Sequence, residues 1–368
     1  MKICHVINDL SRGGAESHLY SLVKLQVKNG YEVSILLLGK DLIDFASLES
    51  QFLSLNVNIL RFNGPKKLQG INPVSIYSGI GYLKKNKFDI IHTHSPRGDF
   101  LVYIANLFIS QKCKRVVTIH GKYGTYLQGN FIVDLLRKIF LRQQSNIWKK
   151  AHNVIVISES IKDWLYKLNP SINPIVVPYG VEIPDIKTKD NKHFPTLGFL
   201  GKLNKNKGIE DLVHVYGEIL KKENFRDLEI NLLIGGTGSE SYINEIKQKI
   251  DIKNLKFLGY VEDRYSFFSS IDIFIFPSYS EGLGLVLLEA MSHGVLCITR
   301  NVAPMNSIIK HEVNGFLFKD NNELQELIEN ALKLNNLEID NLVQSALETI
   351  ENSYSIIQMY SSIEKAYS

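Results

Sequence analysis

Short apolar runs alternate with helical patterns along the whole chain, and this alternation limits the fold more than any other feature. Runs that are apolar on both faces are typical of parallel strands covered by helices on each side. The alternation therefore predicts an α/β protein built on doubly wound parallel sheets. The predicted strands are residues 2–8, 33–38, 57–60, 90–92, 116–120, 154–157, 175–177, 196–200, 229–234, 255–258, 273–276 and 295–299.

The length of 368 residues is sufficient for two domains, each with its own core. Residues 177–195, VPYGVEIPDIKTKDNKHFP, are rich in proline and charge and have no apolar period, which indicates a linker. We predict a first Rossmann-like domain over residues 1–180, a linker over 181–194 and a second Rossmann-like domain over 195–351. Residues 352–368 have helical periodicity.

The composition, with 45% hydrophobic and 22% charged residues, is typical of a globular protein in water. Cys4, Cys113 and Cys297 are scattered without metal-ligand spacing, which predicts a reducing cytoplasm and no zinc site. The first residues lack the apolar core of a signal peptide. Because the sequence also lacks a run of about 18 apolar residues, we expect no membrane-spanning helix.

Charge is divided unevenly between the two halves. Residues 1–180 contain 23 Lys and Arg against 11 Asp and Glu, whereas the remainder contains 19 against 27. A basic half points to nucleic acid, anionic lipid or a phosphorylated substrate. The sequence shows no aromatic-interleaved nucleic-acid motif, so we expect no nucleic-acid partner.

Residues 131–150, FIVDLLRKIFLRQQSNIWKK, combine basic and aromatic side chains at helical spacing. A basic amphipathic helix of this kind suits the interface of an anionic membrane, and an ordinary packed helix with solvated charges fits the pattern equally well. The first interpretation predicts a peripheral position on the inner face of the cell membrane. Its docking residues are Arg137, Lys138, Arg142, Trp148, Lys149 and Lys150.

Residues 273–299, IFIFPSYSEGLGLVLLEAMSHGVLCIT, have the pattern strand, glycine-bearing turn, helix, strand, with the helix ending near Gly294. Unpaired N–H groups at such a helix start form an anion site, and Gly282 and Gly284 let a phosphate approach the backbone. Glu281 and Glu289 are about 12 Å apart along a helix, too far for a glycosidase-type carboxylate pair. Their spacing also fits ordinary charges at a helix start and on a solvated face.

Three other strand ends carry candidate ligand-binding residues. Gly14 follows the first strand, His120 ends the strand RVVTIH, and Lys202 and Lys207 lie in GKLNKNKG at a strand-to-helix turn. The carboxyl edge of an open parallel sheet is where ligands bind, and two ammonium groups at a helix start suit a diphosphate. A structural glycine, a hydrogen-bonded histidine and solvated lysines would give the same pattern.

Two further patterns are weaker. His92 and His94, in DIIHTHSP, have no matching third ligand nearby, so we interpret them as structural residues and expect no metal. The loop GGTGSE lacks the third glycine of G-x-G-x-x-G, which disfavours a nicotinamide dehydrogenase.

The segment PSYSEGLGLVLLEAMSHG resembles the E-x7-E signature of the GT4-type retaining glycosyltransferases. This resemblance implies the GT-B fold, in which two Rossmann-like domains face each other across a cleft and the C-terminal helix crosses back to the first domain. It also implies a nucleoside-diphosphate sugar as co-substrate and retention at the anomeric carbon. An Asp-x-Asp metal motif is absent from the sequence, so we expect no metal and no other cofactor.

The resemblance implies a role for each candidate residue. His120 and Glu281 lie beside the donor sugar, Glu289 holds the ribose, and Lys202 and Lys207 stabilise the diphosphate. The family mostly has arginine at the position of Lys202, and it usually has Asn-Gly where Tyr179 and Gly180 stand, which we expect to alter only the hinge turn. The implied catalytic residues are His120, Lys202, Lys207 and Glu281. The implied donor-binding residues are Gly14, Gly259, Tyr260, Val261, Gly282, Gly284, Leu285, Val286 and Glu289.

The function implied is transfer of a hexose or N-acetylhexosamine, from a UDP-sugar in the first instance, to a glycan acceptor. The basic first half favours a lipid-linked intermediate of bacterial surface polysaccharide synthesis over a soluble acceptor. Two alternatives stay open at this point: a GT-B enzyme with a soluble acceptor, and a catalytically silent nucleotide-sugar-binding partner subunit. The intact Glu281, Glu289, Lys207 and His120 argue against silence.

Overall fold

The computed structural model describes residues 1–39, 47–61, 73–108, 113–123, 131–185, 195–226, 228–248 and 254–368. These residues form two compact units. The first unit contains Met1–Gly180 together with Ile356–Ser368, and the second contains Val181–Ser355. Most of the predicted linker, residues 186–194, lies outside the described residues.

The first unit contains a seven-stranded sheet in which all neighbouring strands are parallel. The strand order is β3-β2-β1-β4-β5-β6-β7, so the direction of winding reverses between β1 and β4. Nearly every residue of the central strands is buried, as expected for a sheet covered on both faces. The strands are β1 (Lys2–Ile7), β2 (Glu32–Leu37), β3 (Asn58–Arg61), β4 (Ile90–Thr93), β5 (Lys114–Ile119), β6 (Asn153–Val156) and β7 (Ile175–Val176).

The helices of this unit follow the strands in alternation. At the start of one of them, the Ser95 side chain accepts a hydrogen bond from the Gly98 backbone N–H, and Pro96 occupies the first turn. Both features favour a helix beginning at that point. The helices are α1 (Gly14–Lys28), α2 (Glu49–Ser54), α3 (Pro73–Asn86), α4 (Pro96–Ala105), α5 (Phe131–Lys149) and α6 (Glu159–Leu168).

The second unit contains a six-stranded parallel sheet of order β10-β9-β8-β11-β12-β13. Its winding reverses between β8 and β11, so both units are doubly wound, as predicted. The strands are β8 (Thr196–Leu200), β9 (Asn231–Gly235), β10 (Leu255–Gly259), β11 (Ile273–Phe276), β12 (Leu296–Arg300) and β13 (Phe316–Phe318).

Two helices of the second unit begin at glycines with left-handed backbone, Gly208 and Gly284. Gly294, at φ +68°, follows the end of the Gly284 helix, where the sequence predicts a stop. The helices are α7 (Ile209–Lys221), α8 (Glu223–Arg226), α9 (Glu240–Gln248), α10 (Arg264–Ser269), α11 (Leu285–Ser292), α12 (Met305–Ile308), α13 (Asn321–Ala331) and α14 (Asn336–Thr349).

The final helix, α15 (Ile356–Tyr367), returns to the first unit. It follows a π-helical turn over Ile350–Tyr354, and its buried side chains join the core around β1, β4, β5 and β6. The predicted return of the C-terminal helix is therefore confirmed. The helix contributes Met359, Ile363, Ala366 and Tyr367 to that core.

The reversal of strand order defines where each unit can bind a ligand. In open parallel sheets, ligands bind outside the carboxyl ends of the strands on either side of the reversal. In the first unit these ends belong to β1 and β4, and in the second to β8 and β11. Among the described residues, no helix has the length and apolar character needed to cross a bilayer.

Candidate active site

Lys207 and Glu281 meet at the strand-order reversal of the second unit. Lys207 ends the single 3-10 turn that follows β8, and Glu281 lies in the loop that follows β11. The Lys207 Nζ is 2.5 Å from the Glu281 Oε1. The backbone N–H of Tyr279 also donates to the carbonyl of Asn206 at 2.9 Å, so the two loops are joined by main chain as well.

Gly208 permits this close approach. Its φ is +65°, and a Cβ at this position would lie 2.3 Å from the carbonyl oxygen of Pro277. Only glycine fits such a combination of left-handed backbone and backbone contact. The turn that presents Lys207 is thus held against the loop that carries Glu281.

Arg300, the last residue of β12, supports the same loop from the protein interior. Its Nε donates to the carbonyl of Pro277 at 3.0 Å, and its Nη2 donates to Asp211 Oδ2 at 2.6 Å. The hydroxyl of Tyr279 donates to the same carboxylate, and the guanidinium lies 4.1 Å from the Tyr279 ring centroid. Our sequence reasoning missed this residue, although an arginine that closes an apolar strand was a usable signal.

The predicted strand, glycine-bearing loop and helix are confirmed over β11 and α11. Gly284, at φ +90°, is the N-cap of α11, and Leu285 and Val286 form the first turn. Backbone N–H groups of a first turn have no intrahelical acceptor, and the helix dipole adds partial positive charge there. Gly282 and Glu281 directly precede this helix start, so the arrangement suits an anion.

Glu289 lies farther along α11 and is paired with Arg264. The Arg264 Nη1 donates to both carboxylate oxygens, and only 16% of the Glu289 side chain is exposed. Arg264 is the first residue of α10, whose N-cap is Asp263. The carboxylate is therefore held at a defined place, with unused lone pairs that can accept hydroxyl groups.

Gly259, Tyr260 and Val261 form the turn that follows β10. Gly259 has φ +69°, and its carbonyl accepts a hydrogen bond from the backbone N–H of Gly236 at 2.6 Å. The Tyr260 side chain is 41% exposed. The turn is therefore accessible to a ligand.

Lys202 lines a cavity of about 680 Å³ in the second unit. The N–H of Leu203 donates to the carbonyl of Thr237 at 2.7 Å, which joins the two loops that form the cavity. The Oδ1 of Asn204, another lining residue, is buried and has no hydrogen-bond partner in the described part of the chain. Other lining residues are Gly238, Ser239, Ser241 and Glu245.

His120 follows β5 at the carboxyl edge of the first sheet. Its Nδ1 lies 2.7 Å from the Tyr179 hydroxyl oxygen, and its Nε2 lies 3.1 Å from the Nδ1 of His94. Gly14 begins α1, and a Cβ there would lie 3.6 Å from the Tyr179 ring. The expectation that Tyr179 affects only the hinge turn is wrong, because its side chain is buried and hydrogen-bonded to His120.

Three more buried imidazoles, those of His5, His92 and His94, place ring nitrogens within 4.8 Å of one another, a spacing that could hold a metal. Each ring is already hydrogen-bonded at both nitrogens. The contacts of His92 and His94 agree with their interpretation as structural residues. No local sequence pattern indicates the partners of these rings: Gln26 is bonded to His5 and Tyr367 to His92, and the two partners are 341 positions apart.

Trp148 was wrongly predicted as a membrane-docking residue. Its side chain is fully buried, and its Nε1 donates a hydrogen bond to Asp99 Oδ2 at 2.7 Å. Burial raises the pKa of the Asp99 carboxyl to about 6, and the hydrogen bonds from Thr93 and Trp148 act in the opposite direction. The indole therefore anchors α5 to α4.

The remaining predicted docking residues of α5 are at least partly exposed. Arg137 pairs with Asp134 at 3.1 Å, and Lys150, just after the helix, donates to the Tyr103 hydroxyl at 3.0 Å. Lys138, Arg142 and Lys149 are exposed. The same helix also exposes an apolar stripe at helical spacing, formed by Ile132, Leu135, Leu136, Ile139 and Phe140.

Comparisons with known proteins cover nearly the whole chain. The family model described as Glycosyltransferase Family 4 matches residues 12–183, and the model described as Glycosyl transferases group 1 matches residues 182–349. The chain is similar to the O-antigen biosynthesis glycosyltransferase WclY of Escherichia coli, with 26% identity over 90% of this chain and 89% of that protein.

Another relative from Escherichia coli is the UDP-Gal:alpha-D-GlcNAc-diphosphoundecaprenol alpha-1,3-galactosyltransferase. It is 27% identical over a match that covers 80% of this chain and 78% of the length of that enzyme. Among solved structures, HepE of Anabaena in complex with UDP and glucose matches with a TM-score of 0.81 and 18% identity, covering 99% of this chain and 98% of that one. This last likeness shows that the two chains share a fold.

Proposed function

The chain belongs to the GT4-type glycosyltransferases and has their GT-B fold, and we propose that it moves a hexose or N-acetylhexosamine from UDP to a lipid-linked glycan with retention at the anomeric carbon. The observation that carries this proposal is the Lys207–Glu281 pair beside the start of α11. An ammonium group and unpaired backbone N–H groups converge there on a space suited to a diphosphate.

The chemical demand is stabilisation of the departing diphosphate. Lys207 supplies positive charge from one loop, the N–H groups of Leu285 and Val286 supply partial charge from the other, and Lys202 lies on the same side of the sheet, in the loop after β8. Glu281 holds the Lys207 ammonium in place before the donor binds. We propose that these groups stabilise the departing diphosphate without a metal, because pre-organised donors of this kind typically contribute about 10²–10³ in rate each.

We propose a uridine nucleotide and a polysaccharide pathway on the strength of the relatives. The HepE structure contains UDP, and the galactosyltransferase relative has UDP-Gal and a diphosphoundecaprenol-linked sugar in its name. WclY is named for O-antigen biosynthesis. The acceptor that fits these names is a lipid-linked intermediate of a bacterial surface polysaccharide.

A lipid-linked acceptor requires contact with a membrane, and α5 has the surface for it. Its exposed apolar stripe could enter the acyl boundary while Lys138, Arg142 and Lys149 contact anionic headgroups. We therefore propose a cytoplasmic enzyme that docks on the inner face of the membrane through α5.

Vesicle sedimentation tests the docking. The double variant Leu136→Glu, Phe140→Glu should lose binding to vesicles of phosphatidylglycerol and phosphatidylethanolamine, because carboxylates on the stripe resist burial near anionic lipid. A matched control is Leu53→Glu, Tyr166→Glu, since both residues are exposed and apolar or aromatic but lie on α2 and α6. Equal binding by wild type and both double variants would exclude docking through α5.

The reaction itself is tested in two steps. Thermal unfolding with UDP, GDP, ADP and NAD, each with EDTA, should show stabilisation by UDP, worth about 2.7 kcal/mol at a hundred times the dissociation constant. Labelled UDP-glucose, UDP-galactose and UDP-N-acetylglucosamine are then incubated with a bacterial lipid extract, and the anomeric configuration of the product is read by NMR. UDP binding without transfer would indicate a silent partner subunit, and an inverted product would contradict the proposed mechanism.

A further inference from the structure

Hydrogen bonds inside the first unit connect His120 to the C-terminal helix α15 without a break. Neighbouring atoms along the series are 2.7–3.3 Å apart. We call this series the buried hydrogen-bond chain. Its members, in order, are Tyr179, His120, His94, His5, Gln26, Tyr367, His92 and Thr118.

Burial keeps the four histidines of the buried hydrogen-bond chain uncharged. It lowers the pKa of His5 to about 4 and that of His120 to about 3, and it lowers the pKa values of His92 and His94 well below their ordinary range. A neutral imidazole has one N–H donor and one acceptor nitrogen. Each of these rings is bonded at both nitrogens, so a ring that accepts at one must donate at the other.

The orientation of Gln26 then determines the direction of every bond towards the active site. The Gln26 carbonyl oxygen faces His5 at 2.8 Å, so His5 donates from Nε2 and accepts at Nδ1. His94 must donate from Nε2 to His5 at 3.0 Å, and it accepts at Nδ1 from the Nε2–H of His120 at 3.1 Å. The Nδ1 of His120 accepts from the Tyr179 hydroxyl at 2.7 Å.

The other end of Gln26 determines the direction of the remaining bonds. Its Nε2 donates to the Tyr367 hydroxyl oxygen at 3.3 Å. The Tyr367 O–H is then free to donate to His92 Nδ1 at 2.7 Å, and His92 donates from Nε2 to the Thr118 hydroxyl oxygen at 2.7 Å. All seven bonds are satisfied with one consistent direction.

We propose that the buried hydrogen-bond chain holds His120 in the Nε2–H tautomer with a fixed ring position, which makes Gln26 and Tyr367 positioning residues for the donor-sugar site. The link to the donor sugar rests on the proposed function, whereas the direction of the bonds does not. With both nitrogens engaged, His120 acts as a fixed neutral group and does not supply a proton to the departing diphosphate.

Histidine tautomers are read directly by ¹H–¹⁵N NMR on the whole chain labelled at histidine, at neutral pH. We expect His5, His92, His94 and His120 all to be neutral and protonated at Nε2. Protonation at Nδ1 in all four would mean that the Gln26 amide points the other way, and it would overturn the proposed tautomer. An imidazolium at any of the four would contradict the assigned directions of the buried hydrogen-bond chain. This measurement needs no variant.

The coupling to α15 is tested with Tyr367→Phe, which removes the hydroxyl between Gln26 and His92. The Gln26 amide then loses the acceptor that fixes its orientation, so we expect the His120 signals to move to a mixture of tautomers. We also expect kcat to fall about fivefold to tenfold, the effect of one buried hydrogen bond. Tyr360→Phe is the matched control, because Tyr360 lies on the same helix but is not a member of the buried hydrogen-bond chain.

Unchanged His120 signals in Tyr367→Phe would overturn the coupling. If the wild-type tautomers are as expected but no sugar transfer is found with any donor, the proposed function fails while the buried hydrogen-bond chain stands. A tautomer change with unchanged kcat would overturn the role of Gln26 and Tyr367 as positioning residues.

Discussion

At the scale of single residues, the second unit concentrates its candidate chemistry in two ion pairs. Lys207 with Glu281 and Arg264 with Glu289 lie on neighbouring loops and on α10 and α11, and each carboxylate is mostly buried. Under the proposed function, the first pair binds the diphosphate and the second binds the ribose. The two pairs should therefore affect different kinetic constants when they are disrupted.

Replacement of Lys207 by alanine should lower kcat by about 10²–10³, because it removes a pre-organised charge from the departing diphosphate. Initial rates at saturating donor measure this effect. Lys221→Ala is the control, since Lys221 is exposed at the end of α7 and pairs only with Glu218 in the contacts of the described residues. Turnover near that of the wild type in Lys207→Ala would remove this lysine from the site.

Glu289→Gln should instead weaken binding of UDP by about tenfold to a hundredfold, because a charged acceptor of hydroxyl groups becomes a neutral one. Titration calorimetry with UDP measures the dissociation constant, and kcat at saturating donor should change much less. Glu326→Gln, on an exposed position of α13, provides the comparison. Equal affinity in the two variants would contradict a role for Glu289 at the ribose.

At the scale of elements, β12 supports the neighbouring loop that carries Glu281. Its last residue, Arg300, is 6% exposed and holds Pro277 and Asp211 at the base of the loop that carries Glu281. Because a guanidinium makes several directed bonds and an ammonium is a point charge, the two cations are not equivalent at this position.

Arg300→Lys should therefore lower kcat/KM about tenfold and unfolding stability by about 1–3 kcal/mol, through loss of two or more buried hydrogen bonds. Urea denaturation and steady-state kinetics together measure both effects. Arg61→Lys is matched in chemistry but lies in the first unit, where it pairs with Glu49. A variant with normal stability and normal kinetics would show that the loop does not need this support.

The elements themselves were largely predictable from sequence, and their partners were not. The strand predicted over residues 295–299 is found at Leu296–Arg300, and the stop at Gly294 is found as predicted. Periodicity indicates that α5 is amphipathic, but it does not say which neighbour covers which face. Trp148 was misassigned for this reason, because its contact with Asp99 depends on how α4 and α5 pack.

At the scale of the whole molecule, acid should destabilise the first unit. Five histidines, His5, His18, His92, His94 and the partly buried His120, have pKa values lowered chiefly by burial. Below about pH 6.5 the unfolded chain binds protons that the folded unit does not, so stability falls as the pH falls towards the folded pKa values. The slope is about 1.4 kcal/mol per pH unit for each histidine that stays neutral.

Two carboxyl groups act in the opposite direction, because burial raises the pKa of Glu16 to about 7 and that of Asp99 to about 6. Their contribution to stability is lost as the pH rises, and the five histidines outweigh it. Trp148 and Trp164 are the two tryptophans of the chain and both lie in the first unit, so tryptophan fluorescence during urea unfolding follows that unit alone. A urea midpoint that stays constant between about pH 6.5 and pH 4.5 would contradict this prediction.

The return of α15 also affects the order in which the protein can fold on the ribosome. Residues 1–180 emerge first, yet the core around Ile3, Ile90 and Val116 lacks one wall until Met359 and Ile363 have been made. The second unit, Val181–Ser355, needs no such later segment and can close its core as it emerges. The unit whose synthesis begins first therefore completes its folding last. A ribosome that stalls after residue 355 releases a chain whose second unit is complete, whereas its first unit is open to proteases and chaperones.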